Sequence, residues 1–281
     1  MTAPRKAVVP RRIRFTYPAD SLEHHFVGGD LVASHWIAFL SGLFPEGEAF
    51  LVRSVRRVVD RIEDPDLQRR ARGFIGQELT HGREHHVLNE RLRAMGYPVH
   101  VLDAIVGFGV RVWDRIFSAL TCLAITAALE HFTAVASEAM LTDTELVDRL
   151  GDSQIRSLIL WHCYEESEHR SVAIDVYRAV GGSETRRIMT MRAIMAMLVV
   201  LSIGYMIGSL LCDRAAYNPI RLFRSFAIRT RPSPAVKEAL GRLPEYLRPG
   251  FHPDDVDNTE LLERWGVELF GENGSLVGNL H

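Results

Sequence analysis

The sequence predicts an all-α fold, a four-helix bundle with additional helices C-terminal to it. Apolar residues recur with a period near 3.6 over most of the chain, and no alternating run long enough for a strand interrupts them. The strong breakers fall between these runs, at Asp64-Pro65, at Gly96 with Pro98, and at Gly181-Gly182, so the helices between them are long. With 281 residues, 47% of them hydrophobic, the chain is large enough to bury a substantial core.

Taken in order, residues 1–20 read as a basic arm. Arg5, Lys6, Arg11, Arg12 and Arg14 precede any acid, and no apolar run follows them to make a secretory signal. Such an arm is either disordered or rests on an acidic surface. Residues 21–185 read as the bundle. A helix over 31–44 ends at Pro45 and Gly47, and "EAFLVRSVRRVVDRI" resumes the helical period. Asp64-Pro65-Asp66 starts the next helix, over 67–95, with proline near its first position. A third helix spans 101–141, its stretch 116–129 free of charge. "TDTE" restarts the chain with Thr142 as N-cap, and a fourth long helix spans 153–180. Residues 186–215 carry an apolar helix, and 216–281 form a tail with short helical patches that packs on the bundle.

Composition narrows the function. A formal net charge of −2 gives no electrostatic case for a nucleic-acid partner. Cys122, Cys163 and Cys212 lie far apart in apolar sequence, which argues against a disulfide framework and fits a reducing, cytoplasmic setting.

The chemistry is carried by "WHCYEESEHR" and "QELTHGREHH". On a helix, residues three, four and seven apart share a face, so His162, Glu166 and His169 point one way. Glu78 and His81 do the same, with His85 one turn further. Each Glu-x-x-His helix is preceded by a helix carrying a Glu in apolar surroundings, Glu48 before Glu78 and Glu130 before Glu166. An unpaired carboxylate there is costly to bury. Two such halves supply the ligand pattern of a ferritin-like di-iron or di-manganese carboxylate bundle. Mixed carboxylate and imidazole donors favour two metal ions, iron first, with manganese or zinc as alternatives.

The stretches "FPEGEAFLVRSVR", "GQELTHGREH", "ALEHFTA", "WHCYEESEHRSVAIDVY" and "YLRPGFHP" resemble the family of predicted metal-dependent hydrolases over roughly residues 20–255. The same residues resemble ferritin-like di-iron N-oxygenases that act on arylamines. That resemblance implies six ligands at Glu48, Glu78, His81, Glu130, Glu166 and His169, with His162 as an additional seventh. It also implies oxygen activation at two ferrous ions, with an electron donor as partner. The hydrolase resemblance implies attack on an ester or phosphoester instead. A non-catalytic metal store is the third reading.

Behind the ligands, His85 is expected to orient one of them. Glu165 is expected to pair with an arginine such as Arg170. Asp175 either holds a ligand histidine or pairs with Arg178. His24, His25 and His35 lack ligand spacing and read as structural. The uncharged run 193–212 reaches the length of a membrane span and contains Gly204 and Gly208 at the spacing of close helix contacts. It spans a membrane or dips into one leaflet at the inner face, either of which points to a small apolar or lipid-like substrate, or it is buried in the bundle or in a homodimer interface.

Overall fold

The computed structural model describes residues 7–19, 21–151, 153–229 and 233–281; Arg5 and Lys6 of the basic arm lie outside the described residues. Among the described residues there is no strand, only an isolated bridge between Ile13 and Leu280. The fold is all-α. Its helices are α1 (Leu31–Arg56), α2 (Pro65–Ala94), α3 (Val99–Ile116), α4 (Ala119–Thr142), α5 (Thr144–Arg149), α6 (Gln154–His169), α7 (Val172–Ala179), α8 (Glu184–Leu211), α9 (Pro219–Arg229), α10 (Pro234–Arg242) and α11 (Thr259–Phe270).

Helix α1 packs along α2, and α4 packs along α6 and α7. Two apolar cores are strung along these four rods. The first gathers Phe50, Val55, Phe74, Leu123, Ala128, Val172 and Tyr177, and the second Ile37, Leu88, Leu92, Leu141, Leu158 and Trp161. Helix α1 runs from the second core to the first and α2 runs back; α4 runs toward the second core, and α6 with α7 returns. Every predicted metal ligand lies between the two cores, so the cluster is a polar girdle at mid-height.

Four boundaries differ from the sequence expectation, each for a local reason. Pro45 does not end the first helix. A proline has no N–H to give the carbonyl four residues back, and here Asn89 Nδ2 on α2 donates to the Ser41 carbonyl at 2.9 Å in its place. The expected single helix over 101–141 is two, because Phe117 is extended (ψ 145°) and Ser118 caps α4 by accepting from the Thr121 amide. The cap of α5 is Asp143, whose carboxylate accepts from the Leu146 amide; Thr142 is the last residue of α4 and its hydroxyl donates to the Glu138 carbonyl. The fourth helix is divided at Arg170 and Ser171 into α6 and α7. There Arg170 bonds Glu138 at 2.6 Å and the Val256 carbonyl, and Arg70 donates to the Ser171 hydroxyl.

The N-terminal segment is part of the fold. Val8, Ile13, Phe15 and Tyr17 are buried. A β-carbon at Gly73 would lie 2.1 Å from the Val8 carbonyl oxygen, and one at Gly76 would lie 2.5 Å from Pro10 Cγ. These two glycines admit the segment against α2.

Candidate metal centre

Helix α1 supplies Glu48, α2 Glu78 and His81, α4 Glu130, and α6 His162, Glu166 and His169. None is more than 4% exposed, and all seven meet in one cluster. His169 Nε2 lies 3.1 Å from Glu130, 3.2 Å from Glu78 and 3.6 Å from Glu166. His81 Nδ1 lies 3.5 Å from Glu166 and 3.6 Å from Glu78, and His162 Nε2 lies 3.3 Å from Glu166. The donor atoms of Glu48, His81 and His162 fall within 4.8 Å of one another, as do those of Glu78, Glu166 and His169.

The outer hydrogen bonds fix which nitrogen of each imidazole carries its proton; the assignments follow from the partners. His81 Nε2 faces the Glu165 carboxylate at 3.0 Å, so Nε2 donates and Nδ1 is left as a lone pair. Gln77 spends its amide N–H groups on Glu168 (2.6 Å) and the Val9 carbonyl, so its oxygen accepts from His169 Nδ1 at 2.8 Å. That leaves His169 Nε2 as a lone pair. For His162 the chain is longer. The Ser41 hydroxyl donates to Asn89 Oδ1 (2.7 Å), so it accepts from His85 Nδ1 (2.9 Å), and His85 Nε2 accepts from His162 Nδ1 (2.9 Å). His162 Nε2 is then a lone pair too. All three inward nitrogens lack a hydrogen-bond partner, and so do both oxygens of Glu48, Glu78 and Glu130. Lone pairs that face carboxylate oxygens at 3.1–3.6 Å repel unless a proton or a cation lies between them.

The ionisation pattern reflects that strain. Burial raises Glu48 well above the usual carboxylate range, with Glu78 adding to it, and burial with Glu166 and Glu78 pushes Glu130 up to about 8. Burial opposes charge on His169 and His81 as well, but the carboxylates around them, Glu166 and Glu130 for the first and Glu165, Glu166 and Glu78 for the second, raise both well above the usual imidazole range, so that without a cation a proton takes the place between each inward nitrogen and its carboxylates. His162 and His85 are both lowered, by burial and then by neighbouring imidazoles, which keeps the His85–His162 pair neutral.

The surroundings correct two expectations. Glu165 pairs with Arg11 of the N-terminal segment at 2.8 Å rather than with Arg170, which turns away past the end of α6 to Glu138. Arg11 also bonds Glu168 at 3.0 Å, so the basic arm rests on a carboxylate pair directly behind the cluster. Asp175 bonds Arg70 of α2 (3.1 Å) and His252 (2.9 Å), while Arg178 goes to Glu184 and the Phe251 carbonyl. Gly82 is a further residue of the site: a β-carbon there would lie 3.2 Å from Glu48 Oε2. Sequence reasoning missed Arg11, Gln77, Ser41 and Asn89. The glycines at 73, 76 and 82 in an otherwise strong helix were the available signal of close approach to α2.

A second group, His24, His25 and Asp213, also brings possible donor atoms together. Here the atoms satisfy one another. Asp213 Oδ2 accepts from His25 Nε2 (2.8 Å) and His35 Nε2 (3.0 Å), and Arg221 donates to His25 Nδ1 (2.8 Å). This group is a latch between the start of the bundle and the end of α8.

The family model described as predicted metal-dependent hydrolase matches residues 9–257, a span that holds every residue of the cluster. No curated protein and no solved structure matches the chain.

Proposed function

This chain belongs to the predicted metal-dependent hydrolase family, and from that premise we propose that its seven converging side chains hold two metal ions, iron first, in a ferritin-like frame that activates dioxygen to oxidise a small organic substrate. The observation that carries the metal centre is the set of three inward imidazole nitrogens, none with a hydrogen-bond partner, among four buried carboxylates. Two divalent cations neutralise four carboxylates and give each lone pair a partner. The donor set is carboxylate and imidazole without thiolate, which suits iron or manganese better than structural zinc.

Glu48, Glu78, His81, Glu130, His162, Glu166 and His169 would hold the ions, and ferrous iron bound there would supply electrons for the reduction of dioxygen. The chain supplies position and a dry setting. Glu165, Gln77 and His85 each hold one imidazole by its outer nitrogen, and Arg11 holds Glu165 in turn. Phe44 lies against His162 (ring centroids 4.4 Å apart), Phe74 against His169 (4.9 Å) and Trp161 against His81 (4.8 Å), and these rings exclude water. Glu48, Glu78 and Glu130, each with both oxygens free of hydrogen bonds, are the carboxylates that would be free to hold the ions through either oxygen.

Hydrolysis of an ester or phosphoester by a two-metal centre is the second reading, favoured by the description of the family. Anaerobic loading with ferrous ion followed by exposure to O₂ separates the two. Oxygen activation predicts two irons per chain and a visible band that rises and decays after mixing. An optically silent protein that turns over a chromogenic ester would establish hydrolysis instead.

A further inference from the structure

Helix α8 separates its residues by face. Arg187, Met191, Ile194, Tyr205 and Ser209 are buried and pack along its whole length against the bundle. On the opposite side Met189, Ala196, Val200, Ile203, Ile207 and Leu211 form one stripe at helical spacing, and every one is exposed, Val200 by 72%. The stripe covers roughly 33 Å at 1.5 Å per residue. Among the described residues two helices, α4 and α8, are long and apolar enough to cross a membrane by length and composition; α4 is mostly buried, whereas α8 is not.

Charge singles out one kind of surface for this stripe. From Thr185 to Val236 the sequence has eight arginines and one acid, Asp213, in a chain whose net charge is −2. Asp213 is buried and bonded to His25 and His35, so it offers no compensation at the surface. Arg192 stands exposed near one end of the stripe and Arg214 beyond the other. Helix α9 then exposes Ile220, Phe223 and Phe226 beside Arg221 and Arg224, and is fixed to the bundle by Ser225, which bonds Asp30 and the Val32 amide. Apolar faces bordered by arginine match the boundary between lipid tails and anionic headgroups.

We propose that α8 and α9 form a monotopic docking face for an anionic lipid bilayer, with α8 lying flat in one leaflet rather than crossing it. A crossing helix must be free of the soluble body all round; α8 is attached to it along one edge from Arg187 to Ser209. The inference stands on the surface alone and is independent of the chemistry at the metal centre.

The test is flotation of the full-length protein with sealed vesicles of phosphatidylcholine, with and without phosphatidylglycerol, at low and high salt. Binding is expected only with the anionic vesicles and should weaken with salt. Ile203→Glu/Ile207→Glu should abolish binding with an unchanged circular dichroism spectrum, since both side chains point outward. Arg214→Gln/Arg224→Gln should lower it on the order of tenfold or more, at roughly fivefold per arginine. A polarity-sensitive dye on Leu211→Cys/Cys212→Ser, and one on Met189→Cys/Cys212→Ser, should both shift blue on binding; a shift at one end only would overturn the flat arrangement. Indifference to vesicles, or equal binding to neutral and anionic ones, overturns the proposal. So does a stable dimer that Gly208→Leu converts to monomer, which would assign the face to a second copy.

Discussion

At the scale of single residues, the direction of three hydrogen bonds decides which nitrogen of His162 carries its proton and leaves Nε2 toward the cluster as the free donor atom. Asn89 takes the Ser41 proton, Ser41 takes that of His85, and His85 takes that of His162. His85→Leu keeps much of the volume but removes the acceptor. We expect the variant to fold and to bind metal about 10–100-fold more weakly, as measured by competition with a chromophoric chelator. Unchanged affinity would reduce His85 to a packing residue. Of the seven inward residues, helical spacing marks Glu78 with His81 and His162 with Glu166 and His169, while Glu48 and Glu130 stand out as a carboxylate in apolar surroundings on the helix before each of these sets. Their outer partners were not legible in the sequence. Nothing local distinguishes Ser41 or Gln77 from any other polar residue, and Arg11 reaches Glu165 only because glycines at 73 and 76 let the first segment lie on α2.

At the scale of helices, the sequence overstated one breaker and understated another. Pro45 is read locally as a stop, but its effect depends on whether a distant residue serves the carbonyl it leaves bare, and Asn89 does. The break at Phe117–Ser118 was hidden by an uncharged stretch without glycine or proline, where a serine cap decides the end. Pro45→Ala restores the helical donor to Ser41, in competition with Asn89. We expect a gain on the order of 1 kcal/mol in stability together with weaker metal binding, because Asn89 then no longer has to orient Ser41. Thermal melts and chelator competition on one preparation would show the opposite signs; a loss in both would mean that the proline only shapes the helix. At the start of α8, Glu184 is held at about 2, chiefly by the hydrogen bond from Arg187, against a small cost of burial. A carboxylate lowered on folding stabilises above its unfolded pKa of 4.5 and loses that contribution as pH falls toward 2. Glu184→Gln should therefore melt below the wild type at pH 7, and the gap should close on acidification. A gap that persists at the lowest pH would assign the effect to shape.

At the scale of the molecule, two apolar cores clamp a charged girdle between them, and this arrangement predicts what metal removal does. The cores draw on α1, α2, α4, α6 and α7, and neither contains a ligand, so stripping the centre leaves the apolar burial in place. What changes is the girdle, where carboxylates and imidazole lone pairs again face one another across 3.1–3.6 Å. An ion held at about 100 times its dissociation constant stabilises the folded state by about 2.7 kcal/mol per site. For a chain near this size, each kcal/mol moves the melting midpoint by about 2–4 °C. Chelation should accordingly lower the midpoint by about 5–10 °C for each site emptied, while far-ultraviolet circular dichroism below the transition keeps its helical signal. Ferrous or manganous ion should restore the midpoint in the wild type. In Glu130→Gln, which removes a carboxylate without removing volume, restoration should be incomplete. An unchanged midpoint after verified removal of metal would mean that the girdle is satisfied by protons alone. Collapse of the helical signal at low temperature would mean that the two cores do not carry the fold without the ions between them.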